Sequence, residues 1–282
     1  MTRIQNIKVH ESTVKMRNNI SDDIQEYGFC RISKQNYCLS SKFIESFDKI
    51  KSFSWNLPVD NYGLNSSRKR VYGRYILVPW EKNDNDLIST PGRLYSFNNE
   101  FGLSFCQPKV INEDSPGERR VFEVIPNEIY QNIALKDLIK AIFHHLPFEK
   151  DISDFPFQVG VHLIKLEASP NNKAVASPNK VHCDGEPYTV AILIDRENAV
   201  GGYNVITERK WHNYSINSVP NSEIKEKFTL KNTLDGYIVS DDMVAHYVSP
   251  VMAEFPERPG IRTILLFDYT PLRPELRVSG LM

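Results

Sequence analysis

The chain has 282 residues, 41% hydrophobic and 24% charged, which is enough apolar material for a sizeable buried core and rules out intrinsic disorder. Its 34 basic and 35 acidic residues leave a net charge of -1, so no electrostatic footprint for nucleic acid exists. No apolar run approaches the roughly 20 residues of a membrane helix and the start lacks the apolar stretch of a secretion signal, so a cytoplasmic protein without membrane or nucleic-acid partners is expected. Cys30, Cys38, Cys106 and Cys183 have no zinc-type spacing and are expected to stay reduced.

In chain order, the first strong pattern lies at residues 39–53, where Phe43, Phe47, Ile50 and Phe53 recur at helical spacing. Next, Arg68, Arg70, Tyr72 and Arg74 alternate with Lys69, Val71, Gly73 and Tyr75, so a strand here carries three arginines and a tyrosine on one face. Such a face is either a charged edge that discourages strand pairing or a bidentate site for a small carboxylate, with Arg70 and Arg74 equally placed for it. Residues 127–146 predict a helix: Ile129, Ile133, Leu138, Ile139, Ile142 and Leu146 form an apolar stripe between Asn127, a candidate cap, and Pro147. From Phe157 onward the period changes. Strands are predicted at 158–166, 188–194, 203–207, 236–240, 243–248 and 261–269, punctuated by Gly, Pro, Asn and Asp. Residues 188–194 and 264–267 are apolar on both faces, as strands buried between a second sheet and covering helices are. One α+β domain is expected, with a mixed part over 1–155, a sandwich or jelly-roll core over 156–272 and a tail at 273–282.

The chemistry concentrates in that core. His182 and Asp184 stand two residues apart in Val181-His182-Cys183-Asp184-Gly185-Glu186-Pro187, and in an extended chain residues i and i+2 point to the same side. His246 shares a strand face with Val244 and Val248, an inward face, where a lone histidine is either a satisfied core residue or a ligand. Arg262 shares its strand face with Ile264 and Leu266, and an arginine there either snorkels at the strand end or meets an anion. Two histidines and one carboxylate leave open coordination positions, the ligand set of non-heme Fe(II) oxygenases. An arginine on the following strand suits the distal carboxylate of 2-oxoglutarate.

With these parts in that order, the chain resembles the 2-oxoglutarate/Fe(II) dioxygenase superfamily, and within it the isoleucine 4-hydroxylase-like family of free amino acid hydroxylases. The resemblance spans roughly residues 60–272 and is carried by separate stretches. These are His182-Cys-Asp-Gly-Glu-Pro, Val200-Gly-Gly-Tyr-Asn-Val-Ile, His246-Tyr-Val-Ser-Pro-Val, Arg262-Thr-Ile-Leu-Leu-Phe, the strand around His162, Arg68-Lys-Arg-Val-Tyr-Gly-Arg-Tyr-Ile and Arg119-Arg-Val-Phe. It implies a double-stranded β-helix, a cupin-like jelly roll buttressed by amino-terminal helices and extra strands. It further implies Fe(II) on His182, Asp184 and His246, 2-oxoglutarate on Arg262, O2 as oxidant and ascorbate as a supporting reductant. Lys165, where relatives often carry arginine, and the free thiol of Cys183 between the two ligands depart from the pattern.

The substrate implied is a free L-amino acid, aliphatic such as isoleucine or leucine, or cyclic such as pipecolate or proline. Arg70, Arg74 and Tyr72 are candidates for its binding, Glu186 for its ammonium group, and His162 for the pocket wall. His144 and His145 are explained by a helix end, and His10 and His212 have no neighbours in sequence that suggest chemistry. Gly201-Gly202 reads as a tight turn rather than a phosphate loop. Competing readings are a dioxygenase of a peptidyl or carrier-bound substrate, a non-catalytic jelly-roll binding module, and a zinc hydrolase.

Overall fold

The structure is a computed structural model that describes residues 12–16, 19–63, 66–80, 87–89, 94–97, 100–107, 118–176 and 178–272. His10 and the tail at 273–282 lie outside the described residues. The amino-terminal part supplies β1 (Val14–Met16), α1 (Ile20–Tyr27), β2 (Phe29–Ile32), β3 (Tyr37–Leu39), α2 (Ser41–Ser54), β4 (Arg68–Leu77), β5 (Leu87–Ser89) and β6 (Leu94–Phe97). It continues through β7 (Glu100–Phe105), β8 (Arg120–Glu123), α3 (Asn127–Tyr130), α4 (Ile133–Phe143) and α5 (Lys150–Ser153). The rest is almost wholly β: β9 (Phe157–Ala168), β10 (Tyr188–Glu197), β11 (Ala199–Gly201), β12 (Asn204–Glu208) and β13 (Ile224–Phe228), then β14 (Gly236–Ser240), β15 (Val244–Val248), β16 (Val251–Ala253) and β17 (Gly260–Pro271).

A seven-stranded antiparallel sheet in the order β2-β14-β10-β17-β9-β4-β5 forms the backbone of the molecule. A smaller sheet, β13-β12-β15, packs against it, and β11 pairs with β16. The strand period decides what fills each side. On β10 and β17, Val190, Ile192, Ile194, Leu265, Phe267 and Tyr269 face the helices, while Ala191, Leu193 and Ile264 face Ile206, Phe228 and Val244 of the small sheet. The two-faced apolar runs expected from the sequence are thus strands buried on both sides, each fully buried aliphatic side chain contributing about 1.5–3 kcal/mol. This is the jelly-roll sandwich expected for the core. Among the described residues no helix is long and apolar enough to cross a membrane.

Helices α2 and α4 cover the outer face of the large sheet through Phe43, Phe47, Ile50, Leu135, Leu138, Ile139 and Ile142. One predicted element needs correction: the helix expected over 127–146 is broken into α3 and α4. Asn132, inside that window, is the true cap of the longer piece, its Oδ1 accepting from Leu135 N at 3.1 Å while its Nδ2 donates to the Ser46 carbonyl on α2. A cap that also ties two helices together outweighs continuity of the apolar stripe. Strands β2, β4 and β5, all from the amino-terminal part, extend the large sheet beyond the jelly-roll strands, so residues 68–77 are paired along β9 rather than left as a charged edge.

Candidate active site

The inner face of the large sheet forms a floor whose composition follows from register. Arg262, Ile264, Leu266 and Asp268 of β17 lie at two-residue spacing, opposite Leu166, Ile164, His162 and Gly160 of β9, and these in turn lie opposite Arg68, Arg70, Tyr72 and Arg74 of β4. Arg262 and Arg68 therefore lie at one end of this floor and Asp268 and Arg74 at the other, with Ile264, Ile164, Arg70, Leu266, His162 and Tyr72 between. Gly160 matters at the second end because a Cβ there would come within 3.1 Å of Asp268 Oδ2 and 3.4 Å of the Tyr72 hydroxyl.

His182, Asp184 and His246 roof this floor. His182 and His246 form an isolated antiparallel bridge in which each backbone N–H donates to the other's carbonyl at 2.8 Å, and residues paired in this way project side chains to the same face. The rings meet at 88° with centroids 4.3 Å apart, and the two Nε2 atoms are 2.9 Å apart. Asp184 approaches both, Oδ2 at 3.3 Å from His246 Nε2 and Oδ1 at 3.9 Å from His182 Nε2. His182 Nδ1 lies 2.9 Å from the Lys180 carbonyl, so the ring proton sits on Nδ1 and the Nε2 lone pair faces the cluster.

The turn that carries Asp184 is held by its neighbours. Gly185 takes φ +88°, and the backbone N–H groups of Gly185 and Glu186 donate to Asp241 Oδ2 at 2.6 and 3.3 Å. Gln107 Nε2 donates to the Asp184 carbonyl at 2.8 Å, and Cys183 N donates to His212 Nδ1 at 3.0 Å. The Cys183 side chain packs with Val181, Val205, Ala245 and Tyr247, on the far side of the strand from the imidazoles, and burial pushes its thiol up to about 12.

The donor set fits a divalent cation. Burial, with His182 adding to it, lowers the His246 imidazole to about 4, so at neutral pH it offers a lone pair rather than a charge. Two such lone pairs opposed at 2.9 Å, beside an Asp184 Oδ2 that is buried with no hydrogen-bond partner among the described residues, are compensated by a cation placed between them.

Two cavities meet at Asp184. The first is lined by His182, Asp184, His246, Tyr237, Arg68 and Arg262 over an apolar wall of Leu166, Val248 and Ile264. Arg262 is 2% exposed, its Nη2 donates to Asn204 Oδ1 at 3.3 Å, and its Nε is buried without a partner among the described residues. Burial lowers its pKa to about 10, against the raising effect of Tyr237, so it stays charged at neutral pH. A buried guanidinium with only a neutral amide partner fits an anionic ligand. The Arg68 guanidinium in the same wall is already paired, Nε to Asp60 Oδ2 at 2.6 Å.

The second cavity is lined by Phe105, Gln107, Arg120, His162 and Asp268, with Arg70, Ile164, Asp184 and Leu266 shared with the first. Arg70 donates to His162 Nδ1 through both Nε (3.2 Å) and Nη2 (2.6 Å), which fixes the tautomer: Nε2 carries the proton and donates to Asp268 Oδ2 at 2.9 Å. Burial and three nearby guanidiniums hold the His162 pKa well below its usual value, consistent with a neutral ring. Burial and the carboxylates of Asp184 and Glu186 push Asp268 well above the usual range.

Of the substrate candidates, Arg70 and His162 face this cavity. Tyr72 supports it from behind, stacked on His162 at 4.2 Å. Arg74 faces neither cavity: its Nε donates to the Tyr72 hydroxyl at 2.9 Å and its Nη2 to the Ser104 carbonyl. Glu186 is hydrogen-bonded to the Thr270 hydroxyl and lines neither cavity. Sequence reasoning missed Asp268, although it lies in phase with Arg262 on one strand, and Arg120, in phase with the buried Phe122 on β8. It also missed Gln107, Asp241 and His212, which hold the Asp184 turn from distant segments and carry no local signal.

Known proteins resemble this chain over most of its length. The family model for a 2OG-Fe dioxygenase matches residues 51–268. The chain is 25% identical over 229 residues to a 3(1)-hydroxy-L-isoleucine 4-dioxygenase of Pantoea ananatis, covering 80% of this chain and 82% of that one. Among solved structures, a bsmA homolog from Methylobium petroleophilum PM1 superposes with a TM-score of 0.72 at 18% identity, covering 90% of this chain and 92% of that one. IDO from Bacillus thuringiensis does so with a TM-score of 0.67 at 20% identity, covering 90% and 95%. With the family model spanning more than half of its length, the chain belongs to the 2OG-Fe dioxygenase family, enzymes that use Fe(II), 2-oxoglutarate and O2.

Proposed function

We propose that the protein hydroxylates a free L-amino acid, with Fe(II) on His182, Asp184 and His246 and the distal carboxylate of 2-oxoglutarate on Arg262. The observation that carries this reading is the meeting of two cavities at Asp184, one ending on a buried guanidinium without a carboxylate partner, the other lined by charged groups of both signs. The family match speaks against a zinc hydrolase and a non-catalytic binding module. The relative from Pantoea, whose name gives a hydroxylated isoleucine as its substrate, favours an aliphatic side chain, and cyclic amino acids share the same charged end.

Bound iron supplies oxygen activation; the chain supplies position and a dry setting. Overall, substrate C–H, O2 and 2-oxoglutarate give substrate C–OH, succinate and CO2. Arg262 holds one end of the cosubstrate so that its keto acid end reaches the metal cluster. Arg70 and His162 shape the wall beside which the amino acid lies. Ile164 and Leu266, shared by both cavities, exclude water between the ligands.

The test is a panel of free L-amino acids, each incubated with the protein, Fe(II), ascorbate and 2-oxoglutarate, and read by succinate release together with a mass gain of one oxygen. Hydroxylation of an aliphatic or cyclic member is expected. Succinate release driven only by peptides or carrier-bound amino acids overturns the free amino acid reading while leaving the dioxygenase chemistry intact.

A further inference from the structure

Four guanidiniums are buried around the two cavities, and their partners divide them. Arg68 is ion-paired with Asp60, and Arg70 is spent on His162. Arg262 in one cavity and Arg120 in the other have no carboxylate partner among the described residues. Arg120 is 4% exposed, it donates from Nη2 to Gln107 Oε1 at 2.7 Å, and its Nε is buried with no partner. Its guanidinium lies near the rings of Phe105 (5.1 Å) and Phe122 (5.8 Å), which hold it in place without neutralising it. Leaving a buried charge uncompensated is costly, and the sites where proteins accept that cost are sites that receive a counter-ion.

The same cavity holds a carboxyl group that a cation placed beside it would favour in its ionised form. Asp268 is buried, only its Oδ2 has a hydrogen-bond partner among the described residues, and the donor is a neutral imidazole rather than a cation. Arg70, the nearest positive charge in that chain of hydrogen bonds, reaches Asp268 only through His162. Among the described residues the cavity thus presents one guanidinium without a carboxylate partner and one carboxyl group without a direct cationic partner, on two strands of its wall, β8 and β17.

We infer that Arg120 binds the α-carboxylate of the substrate and Asp268 its ammonium group, so that the cavity selects amino acids with both ends free. This rests on the reading of the protein as an amino acid hydroxylase, and it reassigns both contacts from Arg70, Arg74 and Glu186 to residues for which the sequence suggests no substrate role. Arg70 then acts as a positioning residue: by donating twice to His162 Nδ1 it keeps Nε2–H directed at Asp268 and leaves the other carboxylate oxygen for the ammonium. The Arg120–Gln107–Asp184 series of hydrogen bonds runs from the carboxylate clamp to the backbone of a metal-cluster residue.

The experiment is anaerobic calorimetric titration of the Fe(II) and 2-oxoglutarate-loaded protein with L-isoleucine, L-leucine and L-pipecolate, each also as its amide and its N-acetyl derivative. Wild type is expected to bind a free amino acid and to bind both blocked forms at least ~10-fold more weakly. Arg120→Gln should weaken the free acid about 10- to 100-fold and abolish discrimination against the amide, while the N-acetyl form stays disfavoured. Asp268→Asn should do the converse. Retained 2-oxoglutarate affinity and an unchanged melting temperature show that a variant is folded, and Arg120→Lys, which keeps the charge but loses the planar fork, should restore part of the affinity. If Arg120→Gln still separates acid from amide, or Asp268→Asn still separates amine from N-acetyl, the assignment is wrong even though a free amino acid is the substrate. If only the blocked forms bind, both this assignment and the free amino acid reading fall.

Discussion

The two cavities that meet at Asp184 are built from different parts of the chain, and this separates what is legible in sequence from what is not. The first cavity draws mainly on jelly-roll strands, with His246 on β15, Arg262 and Ile264 on β17, Leu166 on β9 and Tyr237 on β14, beside Arg68 and Arg70 of β4. Each occupies a position dictated by two-residue alternation within a strand that is otherwise apolar, so a charged or imidazole side chain on the inward face stands out. The second cavity adds Phe105 and Gln107, at and just after the end of β7, and Arg120 of β8, outside the jelly-roll strands. Their presence beside Asp184 follows from where β7 and β8 lie in the folded chain, which no local period encodes.

The sharpest contrast comes from the cluster of His182, Asp184 and His246, where the metal is proposed to bind. His246→Ala removes one of two facing Nε2 donors, and loss of bound iron by more than ~100-fold in affinity is expected, read as metal stoichiometry after dialysis. Undiminished iron in His246→Ala and His182→Ala would place the metal elsewhere and dissolve the distinction between the cavities.

Next in size is Arg262→Ala. Loss of a buried charge-assisted contact to a carboxylate amounts to roughly 2–3 kcal/mol, or about 30- to 150-fold in the 2-oxoglutarate KM, with iron stoichiometry unaltered. If 2-oxoglutarate affinity is unchanged, the guanidinium without a carboxylate partner in the first cavity serves some other anion. The expected asymmetry with Arg120, whose replacement should spare 2-oxoglutarate, makes these two arginines a direct comparison of the cavities.

Gln107→Leu probes the contact between them. Its amide accepts from Arg120 and donates to the Asp184 carbonyl, so its loss frees the turn that carries one cluster carboxylate. Outer partners of this kind are worth about 10- to 100-fold in metal affinity, and a value near the lower end is expected because Asp241 still holds Gly185 and Glu186. An effect on amino acid binding alone would show that Gln107 belongs to the substrate cavity only.

How far the sequence reaches can be judged residue by residue. Strands β11, β13 and β16 are not predicted, whereas the longer strands of the core, the pairing of His182 with Asp184 and the inward direction of His246 and Arg262 are readable, because period and turn punctuation are local properties. The break at Asn132 is not, since the cap depends on Ser46 of another helix. Nor is the division of labour along β4. Alternation puts Arg68, Arg70 and Arg74 on one face, yet Asp60, His162 and Ser104, from three other segments, give the three guanidiniums three different partners.

That last point yields the smallest and most discriminating prediction. Arg74 is hydrogen-bonded to the Tyr72 hydroxyl and the Ser104 carbonyl, contacts that fasten the β7 end to β4 without entering either cavity. Arg74→Met keeps the aliphatic stem and loses two hydrogen bonds from a charged donor, partly screened because the residue is only half-buried, so a loss of about 1–2 kcal/mol in stability is expected. Chemical denaturation should show it as a lower midpoint with an unchanged slope. The substrate KM should stay within about twofold, whereas Arg70→Met, which strips His162 Nδ1 of its donor and frees the ring to flip away from Asp268, should raise it at least ~10-fold. A matched rise in both variants would mean that the alternating arginines act as one anion-binding face after all, and that the partners seen along β4 do not determine which of them reads the substrate.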